Sequence, residues 1–206
     1  LTLIRMPLQN ILSCGGSFSD ETKEDLMGIN NNTEHISLLI KELRDFVKIV
    51  GDGYILNGHD IDIVEKLGFL CFNFTEIAKN NFIKLNLKHN EEQLYINADE
   101  PGLNKILNNL LHNAIKYAHS YIEIEVKRIG VQVVITFEND GPCIPKEQRE
   151  DIFKPFVQYG TDSQPFIEGV GIGLSLARSL AELHSGTLVL DDDPHCTRFI
   201  LALNLK

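Results

Sequence analysis

Asn109, His112, Asn113 and Lys116 recur at steps of three and four residues. If residues 99–118 are helical, that spacing sets them side by side on one face. An Asn carbonyl oxygen is a hard, neutral ligand, and Mg²⁺ takes such oxygens together with water and substrate phosphates. Lys116, one turn beyond His112, can hold a phosphate as a point charge. The same stripe also fits a plain solvated helix face, and alone it does not separate the two readings. A second feature is Gly169-Val-Gly171-Ile-Gly173, directly before a helical pattern that begins Leu174-Ser-Leu. Glycines let a backbone approach phosphate closely, and a helix N-terminus offers free N–H groups. The spacing is that of neither a Rossmann loop nor a P-loop, and a flexible turn is the other reading. The polar stretch from Gln158 to Glu168 precedes it, and long irregular segments in compact domains commonly serve as lids. A third feature, Asn139-Asp140-Gly141-Pro142-Cys143-Ile-Pro, follows a strand pattern. Its Asn or Asp can accept a hydrogen bond from the amino group of a base, or the segment is simply a turn.

Each of these features needs an element to position it. Asp99 caps a predicted helix that runs to Ala118, with Pro101 tolerated in its first turn. Leu103, Ile106, Leu107, Leu110, Leu111, Ala114 and Ala118 supply its core face. Around it the patterns predict a helix over 60–80 and strands near 82–87, 93–97, 121–128 and 131–138. A helix over 172–184 and strands over 186–191 and 197–204 follow. Helices and strands mix without strict alternation, so the class is α+β, a mixed sheet with helices on one face.

Residues 1–50 read as an antiparallel helical hairpin. Leu1, Ile4, Leu8 and Ile11 share a three-four spacing, and Gly15-Gly16 breaks the first helix. Leu26, Ile29, Ile36, Ile40, Leu43, Val47 and Val50 form a seam on the second, with Thr33 filling the gap, and Ser19 or Asp20 caps its start. The first arm has ~14 residues, ~21 Å, and the second ~30 residues, ~45 Å. The mismatch predicts about 16 more residues of helix before Leu1. It also leaves Ile40, Leu43, Val47 and Val50 without a partner in the chain, each worth about 1.5–3 kcal/mol when buried. Pairing with a second copy into a four-helix bundle is therefore expected, against packing on the chain's own second domain.

Composition narrows the function classes. The 206 residues are 43% hydrophobic and 23% charged, which is ordinary for a folded globular chain. Lys and Arg number 19 against 29 Asp and Glu, a net charge of −10. Such a surface disfavours nucleic acid and direct membrane contact. The four cysteines, Cys14, Cys71, Cys143 and Cys196, show no metal or disulfide spacing, as suits a reducing compartment.

Four segments in order resemble one family. Asn109-Leu-Leu-His-Asn113-Ala-Ile-Lys116-Tyr117, Asn139-Asp140-Gly141-Pro, Ile152-Phe153-Lys-Pro-Phe156 and Gly169-x-Gly171-x-Gly173-Leu174 are similar to the N, G1, F and G2 boxes of sensor histidine kinases. The resemblance covers residues ~54–206. It implies the two-layer ATP-binding sandwich shared with the gyrase and Hsp90 ATPases, over residues 51–206, preceded by the family's dimerisation and phosphoacceptor hairpin over residues 1–50. It implies ATP and Mg²⁺ as cofactors. Asn113 would coordinate Mg²⁺ with Asn109 beside it, Lys116 would contact phosphate, and Tyr117 would line the nucleotide. Asn139 stands where the family usually has the Asp that reads adenine, with Asp140 and Gly141 next to it. Cys143 replaces the second glycine of that box. Phe153 and Phe156 would anchor the lid, or pack in the core. Gly169, Gly171 and Gly173, followed by Leu174, would cradle phosphates and hinge the lid. The stretch from Val157 to Ile172 has no Lys or Arg, so phosphate binding would rest on Lys116, Mg²⁺ and backbone N–H groups.

The ATP-hydrolysing relatives carry a Glu one turn before the Mg²⁺ Asn as general base for water. Asn109 stands there and cannot take a proton at neutral pH. That favours phosphoryl transfer to a protein, with a response-regulator receiver domain as the downstream partner. The family's acceptor is a His in a motif like His-Glu-Leu-Arg-Thr-Pro-Leu. None of the seven histidines (His35, His59, His89, His112, His119, His184, His195) has that context, and a surface role is expected for each. Leu1-Thr-Leu-Ile-Arg-Met-Pro-Leu8 resembles the segment that follows the motif in many hybrid kinases, which puts the acceptor His before residue 1. The other alignment sets Arg5-Met6-Pro7-Leu8 on the motif, with Thr2 in place of His. As given, the chain is expected to bind Mg·ATP without phosphorylating itself, as the cytoplasmic part of a membrane-anchored sensor. Two other readings remain: a pseudokinase that signals by dimerisation, and an ATP-hydrolysing relative.

Overall fold

A computed structural model describes residue 11 and residues 19–51, 53–157, 171–192 and 196–206. The expected first helix, the Gly15-Gly16 break, Gly169 and the stretch from Gln158 to Glu168 lie outside the described residues. The chain divides into two compact units, Leu1–Lys48 and Ile49–Lys206.

Helix α1 (Asp20–Val50) begins where expected. Of the two candidate caps, Ser19 serves: its Oγ accepts from the Thr22 N–H at 3.2 Å. Thr33 is buried and donates its hydroxyl back to the Ile29 carbonyl at 2.8 Å. Of the apolar seam, Leu26 is half-buried, while Ile29, Ile36, Ile40, Leu43, Val47 and Val50 are exposed, from 43% at Leu43 to 61% at Val47.

In the second unit, β1 (Gly58–Asp62) leads into α2 (Ile63–Asn80), then β2 (Lys84–His89), β3 (Tyr95–Asp99) and α3 (Glu100–Tyr117). The hairpin β4 (Tyr121–Ile129) and β5 (Gln132–Asn139) follows, then two short 3₁₀ turns at Lys146–Gln148 and Asp151–Phe153. Helix α4 (Gly173–Leu183), β6 (Thr187–Leu190) and β7 (Thr197–Asn204) complete it. The main sheet has the order β2-β4-β5-β7-β6, with β2 parallel to β4 and the other pairs antiparallel. Its strands alternate with period two. Ile122, Ile124 and Val126, then Val133, Ile135 and Phe137, then Phe199, Leu201 and Leu203, are all buried on one face. Against that face α3 contributes Leu103, Ile106, Leu107, Leu110 and Leu111, each at most 1% exposed.

The sequence pattern missed β1. Residues 58–62 pair antiparallel with β3, Gly58 opposite Asp99 and Asp62 opposite Tyr95, so the helix expected over 60–80 starts at Ile63. Asp62 stops the strand and caps the helix, its Oδ1 accepting from the Val64 N–H at 3.0 Å and the Leu94 N–H at 3.2 Å.

Asp99 does more than cap α3. It is 4% exposed, and its carboxylate accepts from the Gly102 N–H (2.8 Å), the Tyr54 hydroxyl (2.5 Å) and the Asn57 N–H (3.2 Å). Its own N–H donates to His184 Nε2 at 3.0 Å, while His184 Nδ1 lies 2.7 Å from the Leu180 carbonyl. That corrects the surface role expected of His184: it is half-buried and ties the end of α4 to the start of α3. Burial alone would raise the pKa of Asp99, but the Tyr54 hydroxyl and the two backbone donors hold it below the usual carboxylate range.

Asp99→Ala removes a cap and leaves buried donors unpaired, so it should lower the unfolding free energy by about 3 kcal/mol in urea denaturation. Tyr54→Phe should cost about 1–2 kcal/mol. Because the folded-state pKa of Asp99 is depressed, its contribution is complete above about pH 4 and is lost as pH falls further.

Candidate functional site

Helix α3 carries the polar stripe expected of it, but the stripe is not a freely solvated face. Lys105, Asn109, Asn113 and Lys116 are half-buried, and only His112 of the set is exposed. The Phe74 ring meets the His112 imidazole edge-on, 4.7 Å between centroids, and partial desolvation lowers the pKa of His112. The Lys116 Nζ lies 5.2 Å from the centre of the Tyr117 ring, a cation–π contact. Desolvation raises the pKa of Tyr117.

Two glycine segments flank the C-terminal half of α3. A Cβ placed on Gly173 would lie 3.1 Å from Asn109 Oδ1, so the first residue of α4 sits directly against Asn109. A Cβ on Gly141 would lie 2.3 Å from the Tyr117 carbonyl oxygen and 3.0 Å from Asn139 Nδ2. The turn after β5 therefore packs on the end of α3 at a distance that only glycine allows. Asn109, Asn113, Lys116 and Tyr117 span the helix between these two contacts.

The start of α4 fits an anion. No side chain caps it, and Ser175 Oγ donates to the Ile172 carbonyl at 2.8 Å. Its first N–H groups remain available, with the positive end of the helix dipole behind them. Leu174 is half-buried in this first turn. Gly171, at φ +74°, accepts from the Phe156 N–H at 2.9 Å, and Phe156 itself has φ +66°. This bond joins the two ends of the segment that includes the expected lid. A Cβ on Gly171 would lie 2.6 Å from the Val157 carbonyl oxygen.

The two phenylalanines differ in placement. Phe153 is buried between the Phe199 ring, edge-on at 6.2 Å, and the Arg178 guanidinium, 4.7 Å from its centre. Arg178 in turn pairs with Glu150 at 2.8 Å. Of the roles expected for Phe153, core anchoring is the one its surroundings match. Phe156 is exposed.

Asn139 and Asp140 also part ways. Asn139 is 2% exposed at the end of β5, and its carboxamide makes no hydrogen bond to another described residue. The Asp140 carboxylate turns toward the loop after α3. It accepts from the backbone N–H groups of His119 (2.9 Å), Ser120 (3.0 Å) and Tyr121 (3.2 Å), and from the Ser120 hydroxyl (2.5 Å). Burial acts to raise its pKa, but these four donors hold it far below the carboxylate range. The Asp140 carboxylate, expected beside the nucleotide, is thus engaged by the loop after α3. No pattern in the sequence distinguishes these two neighbours, because the loop they face lies 20 residues away.

Among the described residues no group of three or more His, Cys, Asp or Glu side chains is placed to hold a metal ion. A divalent cation here would depend on amide oxygens and on phosphate, as suits Mg²⁺. The unbonded carboxamides of Asn109 and Asn113 and the uncapped start of α4 fit that combination.

Residues 98–206 match the family described as histidine kinase-, DNA gyrase B-, and HSP90-like ATPase. Histidine kinase P4 of Formosa agariphila is 31% identical over 195 residues, 92% of this chain. The chain spans only 14% of that relative's length. Full-length ShkA in complex with AMPPNP shares the fold over 99% of this chain and 45% of its own, with TM-score 0.82 and 21% identity. Histidine kinase ThkA in complex with the response regulator TrrA aligns over 100% of this chain and 57% of its own, with TM-score 0.74 and 22% identity.

Three variants test the packing of the site. Asp140→Ala should cost about 2–3 kcal/mol in denaturant unfolding, since it leaves backbone donors unpaired, whereas Asp140→Asn should keep part of the loss back. With its folded pKa depressed, Asp140 stabilises fully above about pH 4, so the gap between wild type and variant should close as pH drops below that. Gly141→Ala should cost about 1–3 kcal/mol by forcing the turn off the end of α3.

Proposed function

The chain belongs to the histidine kinase-, DNA gyrase B-, and HSP90-like ATPase family and carries the catalytic ATP-binding domain of a sensor histidine kinase, and on that premise we propose that it positions Mg·ATP along α3 for transfer of the γ-phosphoryl group to a histidine. The observation that carries this reading is the placement of Asn109, Asn113 and Lys116 between two glycine contacts, Gly173 on one side and Gly141 on the other.

Each residue has a distinct task in this proposal. The N–H groups at the start of α4, from Gly173 and Leu174 onward, meet phosphate oxygens. Lys116 adds a positive charge near them, and its contact with Tyr117 orients both side chains. Asn113 Oδ1 would hold Mg²⁺, with Asn109 beside it, and the ion would supply charge neutralisation on the phosphates. Tyr117, Asn139 and Gly141 line the base. Gly171 and Phe156, joined by a backbone hydrogen bond, hold the two flanks of the expected lid together, and Phe153 anchors the chain just before it. Asn109 cannot serve as a general base, which favours transfer to a protein over attack by water. Phosphoryl transfer of this kind depends on positioning and electrostatics rather than on covalent help from the protein.

The partners follow from the same proposal. The open seam of α1 pairs with a second copy as the dimerisation hairpin of residues 1–50, and a response-regulator receiver domain takes the phosphoryl group onward. Among the described residues no helix is long and apolar enough to cross a membrane. We place this part of the protein in the cytoplasm, where ATP is available.

Calorimetric titration with a non-hydrolysable ATP analogue tests the assignment. Binding near the micromolar level, about −8 kcal/mol, is expected with Mg²⁺. It should weaken at least tenfold without Mg²⁺ or in Asn113→Ala. A folded chain that binds no nucleotide would overturn the assignment.

A further inference from the structure

We propose that the base pocket accepts purine nucleoside triphosphates with either a 6-amino or a 6-oxo group, because the base edge meets the carboxamide of Asn139 and no carboxylate. This rests on the ATP-site reading above and deepens it.

Two adjacent side chains stand at the end of β5, where the resemblance to sensor histidine kinases places the base-reading group. Asp140 cannot serve, since three backbone N–H groups and the Ser120 hydroxyl already occupy its carboxylate. Releasing it would leave those donors unpaired at the junction of α3 and β4. Asn139 is the group left to read the base. It is 2% exposed, yet neither of its polar atoms is sealed from the surface without a partner. No hydrogen bond to a described residue fixes which way its carboxamide turns.

The chemistry of the two side-chain types differs in one respect that matters here. An ionised carboxylate only accepts hydrogen bonds, so it matches an exocyclic amine and repels a carbonyl oxygen at the same place. A carboxamide carries an acceptor and a donor on the same fork. Turning it by half a circle about its terminal torsion exchanges them, and that torsion is soft and nearly two-fold. Oδ1 can accept from a 6-amino group, and Nδ2 can donate to a 6-oxo group. Strong rejection of a purine requires a buried polar group that the wrong base leaves unpaired or repelled. Asn139 leaves no such group with either base.

The test compares ATP with ITP, which has a 6-oxo group and a hydrogen on N1 where ATP has a 6-amino group and a bare N1, and which adds no 2-amino group. Both are titrated with Mg²⁺ into the whole chain, as wild type and as Asn139→Asp, with circular dichroism as the check on folding. Wild type should bind ITP within about tenfold of ATP, and Asn139→Asp should widen that ratio by tenfold or more. A wild-type preference for ATP of a hundredfold or more would overturn the proposal whether or not the variant folds. An unchanged ratio in folded Asn139→Asp would overturn it too. Should ATP bind in an Asn113-dependent way while ITP is excluded, this proposal fails alone. If neither nucleotide binds, the site assignment fails with it.

Discussion

Asp99 stays ionised although only 4% of it is exposed, because the Tyr54 hydroxyl and the N–H groups of Gly102 and Asn57 converge on its carboxylate. Its backbone N–H reaches His184 at the same point. The start of α3, the strand β3 that ends there, the segment that follows α1, and the end of α4 are thus tied at one place. Gly102 shows how close the fit is: a Cβ there would lie 2.9 Å from Asp99 Oδ2, 3.1 Å from His184 Cε1 and 3.3 Å from the Tyr54 hydroxyl. The direction of α3 follows from this junction, and the placement of Asn109, Asn113 and Lys116 follows from α3.

A second contact completes the constraint. Helices α3 and α4 run antiparallel, since His184 at the end of α4 meets Asp99 while Gly173 at its beginning meets Asn109. Ten residues separate Asp99 from Asn109, and eleven separate Gly173 from His184. At 1.5 Å per residue the two spans are about 15 and 16.5 Å, so both ends of α4 are clamped in matching register against the first half of α3. The face buried between them and the sheet is apolar throughout, from Leu103 to Leu111 on α3 and through Leu176, Ala177, Leu180 and Ala181 on α4. Interiors of that kind resist sliding, because a shift of one residue would send polar groups inward. The uncapped start of α4 is thereby held beside the Asn109–Asn113 stripe as a consequence of packing elsewhere.

What the sequence made legible was local. Periodicity located α3 and α4 to within a residue or two, because their core faces recur at helical spacing over 18 and 11 residues. Strands β4, β5 and β7 were legible from alternation for the same reason. The short β1 was not, since His59-Asp60-Ile61-Asp62 carries no core face of its own and exists as a strand only through β3. The roles of His184 and Asp140 were equally hidden. His184 finds Asp99 85 residues away, and Asp140 finds His119, Ser120 and Tyr121 about 20 residues away. Contacts of that separation leave no periodic trace. Phe153 lay between, since an aromatic residue in a short turn fits a core or a ligand until Phe199 and Arg178 are seen on either side of it.

The charge balance explains why the arrangement at the start of α4 matters. A chain with net charge −10 repels a nucleotide at long range. Attraction must then come from groups that act over a few ångströms and that the overall field does not cancel. A helix N-terminus is one, because its N–H groups are fixed in direction and its dipole acts within the first turn. A half-buried lysine held against an aromatic ring is another, since partial exclusion of water strengthens its short-range field. Both lie along α3 or against it, and neither needs a positive surface around it. An acidic exterior is therefore compatible with an anion site here.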